Sequence, residues 1–95
     1  MSENSINYFD TFGISTVHRV CSSINIDLEA YTKSKQLLAI KLTERYNKMS
    51  LNEKLCMLVI LHDAFNGQYR DVIQKMNISR LYKENYIQMA KNKNF

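Results

Sequence analysis

The fold is decided by the stretch SLNEKLCMLVILHDAF, residues 50–65. Ser50 and Glu53 have the spacing of a capping box, in which each side chain bonds the backbone amide of the other residue. The segment CMLVIL is apolar on every side, so its pattern alone does not separate a buried helix from a buried strand. The capping box and the apolar residues that continue to Phe65 favour a helix. We expect it to end at Gly67, because glycine adopts the left-handed conformation without a steric penalty.

Before this stretch, the sequence predicts a long helix over residues 27–49. Asp27 is a suitable N-cap, and an apolar stripe faces a charged side with the helical period. Such a helix would be about 33 Å long, more than a core of this size needs. We therefore expect its spare surface to join two copies of the chain in a homodimer. The residues predicted for this contact are Tyr31, Leu38, Leu42 and Tyr46.

The amino-terminal part is predicted to cover the core or to dock elsewhere. Residues 15–23 fit a short helix with Ser15 or Thr16 as N-cap. Residues 1–14 carry aromatic side chains and form either one helical turn that caps the core or a docking arm. Proline is absent and glycine occurs twice, which favours long helices over many short strands. Residues 1–95 are therefore expected to form a single all-α domain of four to five helices, with residues 15–66 as its helical core.

The positive charge of the chain is confined to its last third. Residues 1–66 hold seven basic and seven acidic residues, whereas residues 67–95 hold six basic and two acidic ones, so the net charge of +4 lies entirely in the last 29 residues. The same region is predicted to contain two short helices, residues 69–76 and 79–91, joined by a tight turn. Asn77 suits that turn because asparagine tolerates the left-handed conformation. A basic helix pair on a neutral body is typical of small DNA-binding proteins.

The segment GQYRDVIQKMNISR, residues 67–80, resembles the helix-turn-helix of the Fis-type bacterial DNA-binding domains. The matching positions are Val72 and Ile73 in the first helix, Met76 before the turn, and Ile78, Ser79 and Arg80 at the start of the recognition helix. Val72 and Ile73 are bulkier than the family's residues and would push the two helices apart. Asn77 replaces the turn glycine, and Lys83 replaces a core leucine. A different apolar face of the last helix is available for packing, formed by Ile78, Tyr82, Tyr86 and Met89.

The resemblance implies a small transcriptional regulator that binds double-stranded DNA, with residues 79–91 as the recognition helix in the major groove. The predicted base contacts are Arg80, Tyr82, Lys83 and Asn85, since arginine can pair with guanine and asparagine with adenine. The predicted phosphate contacts, which would make the affinity depend on salt, are Arg70, Lys75, Lys91 and Lys93. A dimer would read half-sites about 34 Å apart, one turn of the duplex.

Other functions remain open from the sequence. A non-enzymatic protein-interaction module, such as a phage- or plasmid-type inhibitor or adaptor of a host protein, would use the aromatic amino-terminal segment, because exposed aromatic rings are favoured interface anchors. The lysine at position 83 also fits that alternative. An RNA-binding protein would stack bases on Tyr69, Tyr82 and Tyr86. A second, shorter match to a turn and recognition helix lies at FGISTVHRV, residues 12–20, but too few residues precede Gly13 to form both other helices of a three-helix unit.

Motifs for catalysis, cofactor binding and membrane insertion are not found in the sequence. There is no glycine-rich phosphate loop or dinucleotide fingerprint, and no apolar run approaches the ~20 residues of a transmembrane helix. The four candidate zinc ligands, His18, Cys21, Cys56 and His62, lack the spacing of a tetrahedral site. We therefore expect no enzymatic activity, cofactor, metal or small-molecule substrate. The absence of a secretory signal and the two cysteines predict a cytoplasmic protein with reduced thiols.

Overall fold

The computed structural model of the protein describes residues 7–63 and 65–92, and every regular element in them is a helix. The elements are α1 (Tyr8–Phe12), α2 (Ile14–Ala30), α3 (Lys35–Asn47), α4 (Leu51–Asp63), α5 (Arg70–Lys75) and α6 (Arg80–Asn92). The predicted all-α class is confirmed. The helices number six in the described residues rather than four to five. None of the helices in this part of the chain is long and apolar enough to cross a membrane.

The helix α4 is the centre of the domain. It contacts each of the other five helices. Residues 55–61, seven in a row, are each no more than 2% exposed. A helix surrounded on every side must be apolar on every side, which explains why this segment shows no polar face. The predicted central helix is therefore confirmed over Leu51–Asp63, and the surrounding helices are positioned by it.

Both ends of α4 have the predicted stop and start signals. The Ser50 amide donates to Glu53 Oε1 at 2.9 Å, and the Glu53 amide donates to Ser50 Oγ at 3.3 Å. The hydrogen bond from the Ser50 backbone, assisted by the Ser50 hydroxyl and by Arg19, holds the pKa of Glu53 below its ordinary value. At the other end, Gly67 has a φ of 74° and its amide donates to the His62 carbonyl at 2.6 Å. These contacts fix the length and orientation of the central helix.

The predicted long helix over residues 27–49 is wrong, because the chain folds back on itself in the middle of it. The helix α2 ends at Ala30, and α3 begins after Ser34, whose Oγ accepts a hydrogen bond from the Leu37 amide at 3.3 Å. Asp27 is not an N-cap. Its buried carboxylate accepts a 2.8 Å hydrogen bond from Arg45 Nε. In one continuous helix these two residues would be about 27 Å apart, so the ion pair requires the antiparallel arrangement.

The predicted dimer contact also needs correction, because its residues belong to the core of the single chain. Leu38, Leu42 and Tyr46 are 2%, 0% and 5% exposed, and Tyr31 is partly buried against the same core. Because these side chains are buried within one chain, they do not form an apolar surface that a second copy could contact. The exposed apolar residues of α3 are instead Leu37 and Ile40, which are 50% and 48% exposed.

The amino-terminal residues cover one side of α4. In α1, Phe12 is 6% exposed and its carbonyl accepts a hydrogen bond from Asn52 Nδ2 at 3.4 Å. The capping-turn alternative therefore holds for α1, while residues 1–6 lie outside the described residues. The helix predicted over residues 15–23 is longer than expected and begins after Gly13, whose φ of 89° is unfavourable for other residues. Thr16 is buried inside it and does not cap it.

Replacement of Leu42 distinguishes burial within one chain from burial between two. Leu42→Ala is expected to lower the free energy of unfolding by about 2–5 kcal/mol, because it leaves a cavity in the core. Leu37→Ala on the same helix is the matched control and is expected to change it by less than about 0.5 kcal/mol. Denaturant unfolding at several protein concentrations provides the measurement. A midpoint of the original chain that depends on protein concentration, together with loss of that dependence in Leu42→Ala but not in Leu37→Ala, would place the Leu42 side chain between two copies instead.

Candidate nucleic-acid interface

The turn between α5 and α6 is held by α3. Met76 is extended (φ −68°, ψ 142°) and 1% exposed, so it anchors the turn in the core. The Asn77 amide donates to Thr43 Oγ1 at 3.2 Å. Within residues 7–63 and 65–92, a positive φ occurs only at Gly13, Asn66 and Gly67. The expected left-handed Asn77 is therefore wrong, because a hydrogen bond to α3 stabilises a different turn.

The inner face of α6 packs on α4. Tyr86 and Ala90 are 6% and 1% exposed. The Tyr82 ring meets the Tyr46 ring edge-on with centroids 6.5 Å apart. Ile78 and Met89 are partly buried against the same core. The alternative apolar face predicted for the last helix is therefore the one that packs, and it determines which side of α6 faces outward.

The outer face of α6 is a polar strip with one apolar side chain. We define the outer strip by six exposed residues, which are Arg80, Leu81, Glu84, Asn85, Gln88 and Lys91. The Arg80 side chain is 88% exposed, and its Nε donates to Glu84 Oε1 at 2.8 Å. Asn85 Nδ2 donates to the Leu81 carbonyl at 3.2 Å. Exposed ion pairs of this kind are weak, so the Arg80 guanidinium can exchange Glu84 for another acceptor.

The structure places the four predicted base-contacting residues in three different environments. Arg80 and Asn85 lie on the outer strip. Tyr82 faces inward against Tyr46, because the apolar face of α6 rotates it away from solvent. Lys83 points towards α5, where its Nζ donates to the Gln74 carbonyl at 2.8 Å. Tyr82 and Lys83 therefore do not lie on the outward face of α6 with Arg80 and Asn85.

Gln88 is not among the predicted base contacts, although the helical period places it on the same side of α6. It follows Leu81 by seven residues and Glu84 by four, which places it on the same side of a helix.

The three tyrosine rings predicted to stack RNA bases do not form a shared stacking surface. Tyr82, Tyr86 and Tyr69 pack edge-on against Tyr46, His62 and Phe65, respectively.

A cleft of about 250 Å³ separates α5 from α6. It is lined by His62, Arg70, Ile73, Gln74, Lys83, Glu84, Tyr86 and Ile87. The helix α5 packs mainly on α3, and α6 packs mainly on α4. Val72 and Ile73 are 0% and 1% exposed, and Ile73 forms part of the cleft wall. The cleft therefore lies between α5 and α6, as expected if the bulky side chains of Val72 and Ile73 push these two helices apart.

The predicted phosphate contacts that the structure describes lie at three different places. Arg70 lies at the cleft, with Nη2 3.4 Å from His62 Nε2. Lys75 lines a different groove of about 310 Å³ between α3 and the turn. Lys91 is exposed in the last turn of α6. Lys93 lies outside the described residues. Arg70 and Lys83 are therefore the two cations that share one concave site.

Comparison with known proteins does not identify a family for this chain. No protein-family model, no curated protein and no solved structure matches the chain. The resemblance to Fis-type domains stays a prediction carried by residues 67–92. Function must therefore be argued from the side chains at the site.

Alkaline titration tests how α6 packs. Burial raises the pKa of Tyr86 to about 12, although the positive charge of Arg70 opposes the shift, and burial also raises the pKa of Tyr46 to about 12. Because these values exceed the ordinary tyrosine pKa of about 10, the stability contributed by the neutral rings is complete below about pH 10. It is lost as the pH rises through about 12.

The measurement is phenolate absorbance recorded immediately after a pH jump, before the chain unfolds. Tyr86→Phe should remove one of the late-ionising groups, whereas Tyr31→Phe should leave both in place. An unchanged late amplitude in Tyr86→Phe would contradict the packing of α6 on α4 through this ring.

Proposed function

We propose that the protein is a small DNA-binding regulator whose helix α6 enters the major groove with its outer strip facing the bases. The single observation that carries the proposal is the composition of that strip. Arg80, Asn85 and Gln88 lie on one exposed side of a helix whose other side is held by Tyr86. Arginine can bond guanine bidentately, and asparagine and glutamine can bond adenine in the same way. The fixed inner face supplies the rigidity that base reading requires.

The charges around α6 support the same proposal. Six basic residues stand against two acidic ones in residues 67–95. Of the two acids, Asp71 pairs with Lys35 of α3 at 3.0 Å and Glu84 pairs with Arg80 at 2.8 Å. An excess of positive charge in this part of the chain would attract the duplex and increase the association rate. Affinity would then depend on salt, and the sequence preference would come from the outer strip.

A second candidate, a protein-interaction module, is favoured by the exposed apolar residues of α3. Leu37 and Ile40 are separated by three residues, so they share one side of the helix. They could contact a host protein, or a second copy of this chain in place of the buried Leu38 and Leu42. The apolar centre of α4 does not support this candidate, because residues 55–61 are covered by the chain's own helices.

Substitutions on the outer strip test DNA reading. Duplexes selected from a random pool are titrated with the full chain at low and high salt. Arg80→Ala and Gln88→Ala are each expected to reduce the preference for the selected sequence over random duplex by about 1–3 kcal/mol, because each removes a base contact. Lys48→Ala is the matched control for charge, since Lys48 is exposed at the end of α3. It should leave the preference unchanged.

The proposal fails if no duplex is bound at low salt. It also fails if Arg80→Ala and Gln88→Ala retain the full sequence preference. Circular dichroism of each variant confirms that α6 is still folded, which is expected because both side chains are exposed.

A further inference from the structure

The wall of the cleft between α5 and α6 contains two cations, Arg70 and Lys83, and each of them contacts a neutral group. Lys83 Nζ donates to the Gln74 carbonyl at 2.8 Å, and Arg70 Nη2 lies 3.4 Å from His62 Nε2. An ammonium has three donors and a guanidinium has five, so each cation keeps donors for a further acceptor. The one carboxylate in the cleft wall, Glu84, is engaged by Arg80 at 2.8 Å. The cleft therefore presents two positive charges with unused donors.

Gly67 makes room for one of these cations. A Cβ atom at this position would lie 3.2 Å from Arg70 Nη2, tighter than an ordinary contact. The left-handed turn that ends α4 thus lets the guanidinium lie close to the backbone beside His62. The charge of Arg70 also acts at the Tyr86 hydroxyl, where it opposes the rise in pKa caused by burial.

His62 adds a donor that has no partner. Because an arginine side chain can only donate, His62 Nε2 accepts and the neutral ring carries its proton on Nδ1. This Nδ1 is buried and has no hydrogen-bond partner among the described residues. A buried donor without a partner costs free energy. Because this Nδ1 is enclosed by the protein, the attraction of the cleft for an anion comes from Arg70 and Lys83 and not from His62.

We infer that this cleft is a phosphate-binding site whose occupant is a phosphate of the DNA backbone next to the bases that α6 contacts. The inference rests on the proposed function. Arg70 supplies the planar fork that fits two phosphate oxygens, and Lys83 supplies a point charge from the opposite helix. Lys83 is thus a phosphate contact and not a base contact. In a closely packed helix pair there would be no gap between α5 and α6. In this chain the gap would hold the backbone of one DNA strand.

The salt dependence of DNA affinity tests the inference. Arg70→Gln, Lys83→Gln and the double variant are compared with the control Lys33→Gln, which removes one exposed charge from the turn between α2 and α3. Binding to random-sequence duplex is measured from about 50 to 200 mM salt. Each cleft variant should reduce the slope of log affinity against log salt by about 1, and the double variant by about 2. Lys33→Gln should keep the slope of the original chain.

Titration with inorganic phosphate tests whether the cleft binds phosphate at all, independently of whether its ligand is DNA. Resonances of the His62 ring and the Arg70 Nε–H should shift in the original chain and stay in place in the double variant. If DNA binds but the cleft variants keep the full slope, the inference is overturned while the proposed function stands. If no DNA binds and phosphate still shifts these resonances, the proposed function and the DNA occupant both fail, and free phosphate is the ligand. If neither effect is seen, the site itself is refuted.

Discussion

A helix that is apolar on every side can exist in water only when other helices cover it completely. The helix α4 meets this condition through contact with all five of its neighbours, and seven consecutive residues at its centre are almost fully buried. Covering one helix from all directions requires several short helices with tight connections rather than a few long ones. The chain therefore folds back at residues 31–34, and Asp27 meets Arg45 across that turn. Covering α4 also buries Leu38, Leu42 and Tyr46, which therefore cannot contact a second copy.

The orientation of α6 follows from this central burial. Tyr86 and Ala90 must face α4, so the residues on the opposite side of the helix must face solvent. That side is polar and carries side chains whose hydrogen-bonding groups match base edges. Meanwhile α5 is drawn towards α3, and a cleft with two cations opens between α5 and α6. The outer strip and the cleft are thus two consequences of one packing arrangement, and both serve the proposed binding of DNA.

The features that could be predicted from the sequence are those set by local hydrogen bonding and helical period. The capping box at Ser50 and Glu53, the left-handed Gly67 and the inward face of α6 all depend on residues a few positions apart. The break at residues 31–34 could not be predicted with the same rules, because no glycine or proline marks it. The only local signal is Ser34 before Leu37, and it lies inside an apolar stripe that continues across the break. Lys83 likewise depends on a carbonyl of another helix, which no pattern in α6 reveals.

Chemical-shift mapping of the full chain with random-sequence duplex DNA at low salt tests most directly whether α6 is the DNA-binding surface. The largest amide shifts are expected at Leu81, Asn85 and Gln88 on the outer strip, and at Arg70 beside the cleft. Leu37 and Ile40 should keep their positions. The absence of shifts, or shifts confined to the exposed apolar residues of α3, would contradict a DNA-reading α6.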